Sequence, residues 1–240
     1  MSQGYFTPLA MATVFAVATV AAGVVVAAGQ YRKAAARSER DLLDRVTLES
    51  AVAAQADALL VGPAQPLAAH QGLLFALNGR TVSVEVSAPQ GKFDLNGDGA
   101  DSIDQGLAVN GLPAALRDRL VRAATARDAA GQASSIRSLR DVAAALSLSQ
   151  TEEDCARRWV TVGRWPGPMD DAGIGRAAEG AAVRTIGPGD QADLRAETAG
   201  RGGRRVLWAR LRFTGELERP WRAHDWRFLQ PAAAGAAACP

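Results

Sequence analysis

The sequence predicts an α+β chain: one long N-terminal helix, an antiparallel sheet, and a few short helices set among the strands. Three observations carry this. Tyr5–Gly29 contains no charged residue. Gln30–Val61 contains neither Gly nor Pro and is rich in strong helix formers. Further on, short alternating apolar and polar runs bounded by turn residues read as strands, near 73–86 and again near 192–229.

A membrane-spanning helix needs about 20 apolar residues to cross about 30 Å of hydrocarbon. Residues 5–29 supply that length. Phe6, Leu9, Val14, Phe15, Val17, Val20, Val24, Val25 and Val26 are the large side chains assigned to the membrane. A cleaved secretory signal fits less well, because the first residues, MSQ, carry no Lys or Arg and the apolar run is too long. A buried core helix would have to be unusually long and uninterrupted. The helix is expected to continue without a break through 30–62, turning from apolar all round to amphipathic. Leu42, Val46, Ala53, Ala56 and Leu60 fall near one face, with Arg37, Arg40, Asp44 and Gln55 mostly off it. At about 1.5 Å per residue the whole rod is on the order of 80 Å long. GPAQP at 62–66 stops it.

A domain over 67–240 follows. Leu73–Leu77 and Thr81–Val86 flank Asn78-Gly79, the strongest short hairpin signal, and Val82, Val84 and Val86 share a face. In GKFDLNGDGADSID, Asp94, Asn96, Asp98 and Gly99 occupy positions 1, 3, 5 and 6 of a calcium loop. Position 12 is Gln105, a neutral residue where a bidentate Glu belongs, so Asp101 and Asp104 become the substitute ligands of an altered loop. The other reading of the same residues is a turn-rich loop leaving a strand. Both stay open. A helix begins at Gly111 and Pro113, with Leu112, Leu116, Leu120 and Ala124 recurring every fourth residue. A GQASS linker precedes a shorter helix over Ser138–Leu146, with Ser138 as N-cap and Asp141 three residues on. Residues 163–189 read as loop. A three-stranded meander closes the chain. In it Leu207, Ala209, Leu211 and Phe213 alternate with Trp208, Arg210 and Arg212.

The formal net charge is +2, so no strong pull toward nucleic acid is expected. Cys155 and Cys239 have no Cys or His neighbours at metal-ligand spacing. They pair only if the compartment is oxidising. The two histidines, His70 and His224, lack any nucleophile motif around them, and no phosphate loop is present, so no enzyme is expected.

A single helix, greasy first and one-sided later, followed by a globular domain, resembles the type IV pilin and pseudopilin class. GYFTPLAM is similar to the GFTLIE opening of that class. The resemblance implies cleavage of a four-residue leader after Gly4 and methylation of Tyr5 as the new first residue. It also implies a sheet packed on the distal half of the helix, Leu42, Val46 and Leu60 included. Leu9 stands where the class usually has Glu, and the minor pseudopilin K of type II secretion systems is the member that lacks that Glu. GKFDLN, the segment 138–162 ending in Trp159 and VTV, and the closing Thr214, Gly215, Arg219, Pro220, Trp226 and Arg227 resemble the same subclass. It carries a helical insertion in the sheet, placed here at about 100–150. The resemblance implies a structural subunit at the tip of a pseudopilus that promotes its assembly and protein export. It would be single-pass in the inner membrane, with the C-terminal domain periplasmic. Its partners would be other minor pseudopilins, the inner membrane and exported cargo, with no cofactor beyond candidate calcium. Arg32, Lys33, Arg37 and Arg40 follow the span, and the positive-inside rule alone would place that end in the cytoplasm. The architecture is weighted above that preference. A membrane-tethered calcium-binding module is the second reading, and a signal-anchored envelope enzyme the third.

Overall fold

In the structure, a computed structural model, residues 6–61, 72–77, 79–89, 92–130, 136, 138–163, 188–200 and 203–230 are described. Helix α1 runs unbroken over Phe6–Val61. The chain divides into two compact units, Met1–Val46 and Thr47–Pro240, and the boundary falls inside that helix. The first unit is helical throughout its described part. The last turns of α1 belong with the sheet.

The second unit is built on a five-stranded antiparallel sheet of β1 (Gly72–Leu77), β2 (Arg80–Ser87), β5 (Gln191–Gly200), β6 (Gly203–Phe213) and β7 (Trp221–Leu229), in the order β1-β2-β5-β6-β7. Leu77 pairs with Arg80, which leaves Asn78-Gly79 as the two-residue hairpin turn. Gly79 sits at φ +71°, the left-handed conformation such a turn needs. Every second residue of the central strands faces α1. Val82, Val84, Val86, Leu194, Ala196, Leu207, Ala209, Leu211 and Phe213 form one buried cluster with Leu48, Ala51, Val52 and Ala56 of the helix. These four helix positions repeat at i, i+3, i+4 and i+8, one stripe of a 3.6-residue period. The small Ala51 and Ala56 let the backbone come close to the sheet. Trp221 adds a hydrogen bond from its Nε1 to Asp57 Oδ1 at 3.1 Å.

The expected contact stripe of α1 is partly corrected. Leu60 and Ala56 do pack there. Leu42 and Val46 are 62% and 44% exposed, and Gln55, expected off the face, is buried. The apolar positions of this helix outnumber those the sheet can cover. Hydrophobicity alone therefore did not choose the face.

Between β2 and β5 the chain leaves the sheet. It forms β3 (Phe93–Asp94), α2 (Ala100–Val109), α3 (Ala114–Ala130), α4 (Leu139–Ala145), α5 (Gln150–Trp159) and β4 (Val160–Thr161), and β3 and β4 pair in parallel. This is the helical insertion, and it has its own core. Leu95, Ile103, Leu107, Leu112, Leu116, Leu120, Ala124, Leu139, Val142, Ala156 and Val160 cluster apart from the helix–sheet core. The repeat at Leu112, Leu116, Leu120 and Ala124 is buried, as its spacing implies. Ser138 caps α4 by accepting from Asp141 N. Helices α2 and α5 were not expected as separate elements. A reciprocal capping box between Ser149 and Glu152 starts α5. The GQASS linker, residues 164–187 and the GPAQP stop lie outside the described residues.

α4 ends with Ser147 in the left-handed region at φ 49°. Leu148 N donates to Ala143 O and Ser147 N to Ala144 O, the pair of bonds that closes a helix when the next residue turns left-handed. Glycine takes this position without Cβ strain. Ser147→Gly is therefore expected to raise stability by about 0.5–1 kcal/mol, read as a shift in denaturant midpoint at unchanged slope.

The sheet face opposite α1 is ionic, and α5 lies on it. Asp154 accepts from Arg195 Nε and Nη2 (both 2.9 Å), Arg204 Nη2 (3.0 Å) and Trp208 Nε1 (2.7 Å). Glu153 receives Arg157 and Arg227, and Arg157 reaches Asp225 at 2.6 Å. Lys92 joins Asp193 at 2.6 Å, and Arg210 grips the same carboxylate. Burial alone would raise the Asp193 pKa. The Lys92 charge and the Arg210 hydrogen bonds outweigh it and hold the carboxyl at about 2. A carboxyl depressed in the folded state contributes stability that is present above its unfolded value near 4. That contribution is expected to fade as the pH falls from about 4 towards 2. Unfolding titrations across that window should show a slope that flattens in Asp193→Asn.

Candidate functional site, an exposed apolar helix

The residues assigned to the membrane lie on α1. Val14, Phe15, Val17, Val20, Val24, Val25 and Val26 are 60–78% exposed, and Met11 is 71% exposed. Phe6 and Leu9 are in the first turn of the helix. Gly4 and Tyr5 lie outside the described residues. Among the described residues one helix is long and apolar enough to cross a membrane, by length and composition, and none of its most apolar stretch is buried. Fully burying a Val or Phe side chain is worth about 1.5–3 kcal/mol. Leaving these eight side chains in water thus costs on the order of 10 kcal/mol or more. The arrangement can do one thing well: enter an apolar phase, lipid or the apolar flank of another helix. The backbone polar groups of such a segment are satisfied within the helix, so entry leaves none of them unpaired. Valine is a poor choice for a helix in water because of its branched Cβ, so the valine run is better matched to a bilayer than to solvent.

The same exposed character continues past the charged start of the stem. Tyr31 is 76% and Leu43 44% exposed, alongside Leu42 and Val46. Sequence reasoning assigned Leu42 and Val46 to the sheet contact and overlooked Tyr31 and Leu43.

The five oxygen donors of the calcium reading are brought together only in part. Asp94 is buried, and its Oδ1 accepts from Asn96 N (2.8 Å) and Gly163 N (3.1 Å). Asp98 Oδ2 turns back to Asp94 N at 2.7 Å. Asp101 sits on the first turn of α2, where a carboxylate suits the helix N-terminus. Asp104 pairs with Arg117 at 2.8 Å. In this arrangement Asp94 ties β3 to Gly163, two residues past the end of β4. Among the described residues no group of three or more His, Cys, Asp or Glu is placed to hold a metal ion.

Cys155 is buried on α5 and disulfide-bonded. Cys239 lies outside the described residues, as does His70. His224 is exposed on β7.

No protein-family model matches the chain, and no curated protein matches it either.

Proposed function

We propose that this chain is a membrane-anchored structural subunit of an envelope secretion machine, similar to the minor pseudopilin K of type II secretion systems and placed at the tip of its pseudopilus. One observation carries the reading: a single unbroken helix is apolar and exposed along its first part and packs on an antiparallel sheet through residues between Leu48 and Leu60. The two parts suit two successive settings. The exposed part dissolves in the inner membrane and later exchanges lipid for the helices of partner pseudopilins. Gly23 and Gly29, with open space around them, let such helices approach closely. The packed part fixes the folded domain to the end of the rod. Leu9 supports a tip position, because a subunit with no neighbour above has no terminal amine to neutralise in an apolar setting. The disulfide at Cys155 supports an oxidising location for the domain, on the far side of the membrane from the cytosol. Exported cargo and the other minor pseudopilins are the partners of this reading.

Intact-mass analysis of the chain purified from its native membrane tests it. Loss of MSQG together with one added methyl is the expected result. An uncut N-terminus overturns the pseudopilin reading in favour of a plain anchor. A cut near Ala28 overturns it in favour of an exported protein.

A further inference from the structure

The insertion and the helix–sheet body have separate apolar cores. They are joined by two things. One is a neck, the two-residue parallel pair β3–β4, tightened by Leu95 N donating to Thr161 O and by the Asp94 bond to Gly163 N. The other is the ionic layer under α5. The side-chain bonds across that layer join Asp154 with Arg195, Arg204 and Trp208, Glu153 with Arg227, Arg157 with Asp225, and Arg158 with Glu85 at 3.6 Å; Lys92 bridges Arg157 O at 2.7 Å and Asp193 at 2.6 Å, and Gln230 N donates to Gln150. The buried apolar side chains that this sheet face contributes, among the described residues, are a small cluster of Val206, Trp208 and Leu229.

We propose that the insertion is a docked lobe that lifts off the sheet as a body, swinging on the β3–β4 neck, while both cores stay folded. The physical reason lies in what separation costs. Buried ion pairs return little net free energy, because the attraction between the charges is largely offset by the water each one gave up. When the layer parts, the charges regain that water. The sheet side adds the small Val206 cluster and the insertion side the flank of Leu139 to the exposed apolar surface, whereas unfolding either body would expose a full core. The layer is also imperfectly closed. Leu139, Arg157, Asp193, Trp208 and Asp225 line a crevice within it. Arg157 Nη2 is buried without a hydrogen-bond acceptor among the described residues, so water arriving there gains a bond and does not break one. Opening bares Trp208 with Arg195, Arg204, Arg210 and Arg227 and with the sheet carboxylates beside them, Glu85, Asp193, Glu197 and Asp225, a mixed ionic face with an aromatic centre that the closed lobe covers.

The Trp208 indole N–H reports this motion directly, because it is held by Asp154 on the other side of the layer. Hydrogen exchange of the indole is followed by NMR on the full chain in detergent micelles. Its signal is assigned with Trp208→Phe, or by through-space contacts to the Lys92 side chain should that variant fold poorly. The indole is expected to exchange at least about a hundredfold faster than the backbone amides of the β5–β6 ladder and of α3, with little dependence on denaturant. Exchange in step with the ladder amides overturns the proposal, since the layer then opens only when the sheet does. Exchange in step with the α3 amides also overturns it, since the lobe then unfolds and does not lift off whole.

Discussion

Val17→Asp is expected to remove the chain from the alkali-resistant membrane fraction. Val17 is 68% exposed in the most apolar stretch of α1 and makes no contribution to the helix–sheet core. Near the centre of a span, an apolar residue contributes about −0.3 to −0.6 kcal/mol to insertion, whereas Asp costs about 2.5–3.5 kcal/mol. The swing of about 3–4 kcal/mol shifts the insertion equilibrium several-hundred-fold. Leu42→Asp serves as the control, because it adds the same charge on the same helix beyond Arg32 and Lys33, outside the apolar run. The partition of both variants after carbonate extraction, beside the wild type, decides the matter. Retention of Val17→Asp at the wild-type level would mean that the helix is not the anchor. Thermal unfolding of the domain should be unchanged in either variant, which separates a failure to insert from a failure to fold.

Gly106→Ala is expected to destabilise the insertion by about 3 kcal/mol, the upper part of the usual range for overpacking. A Cβ built on Gly106 would lie 1.8 Å from Phe93 Cζ and under 2.6 Å from both Cε atoms. No real carbon pair is that close, so the ring must leave its place. Alanine's better helix propensity, about 1 kcal/mol over glycine, offsets only part of this. Phe93 stands in β3, so displacing its ring also disturbs the neck. The double variant Gly106→Ala, Phe93→Leu should recover a large part of the loss, because the shorter side chain vacates the space the methyl needs. Denaturant unfolding of the single and double variants measures the coupling. Simple additivity would show that the ring and the glycine do not share the site.

Much of the fold could be read in advance, and the reasons are local. The charge-free run and the absence of Gly and Pro to Val61 marked α1. Asn78-Gly79 marked the hairpin, and the alternation through Leu207–Phe213 marked a central strand of the meander. The repeat at Leu112–Ala124 marked a buried helix face. What stayed hidden has a physical cause as well. Helix α5 buries Glu153, Asp154 and Arg157, residues that in a sequence read as a solvated surface. The strand set Asp193, Arg195 looks like an outward face and is instead a buried one, because Lys92 and Asp154 cover it and Arg210, Glu85 and Glu197 of neighbouring strand positions complete its pairing. Buried charge pairs leave no periodic signal, so the layer beneath α5 was not legible, although the Ser149-x-x-Glu152 spacing marks where α5 begins. The contact stripe of α1 was misjudged for a related reason. Leu42 and Val46 are as hydrophobic as Leu48 and Val52, and only the position of the sheet decides which pair is covered. The apolar run of α1, by contrast, was legible, because about 20 successive apolar residues are a signal that composition alone carries.

The contact between α1 and the sheet has a mechanical side. Leu48, Ala51, Val52 and Ala56 touch the strands along more than two turns of the same rod that carries the apolar stretch. All four belong to one buried cluster, so a force on this end of the helix is shared among them, and helix and sheet part only when the whole cluster is wetted at once.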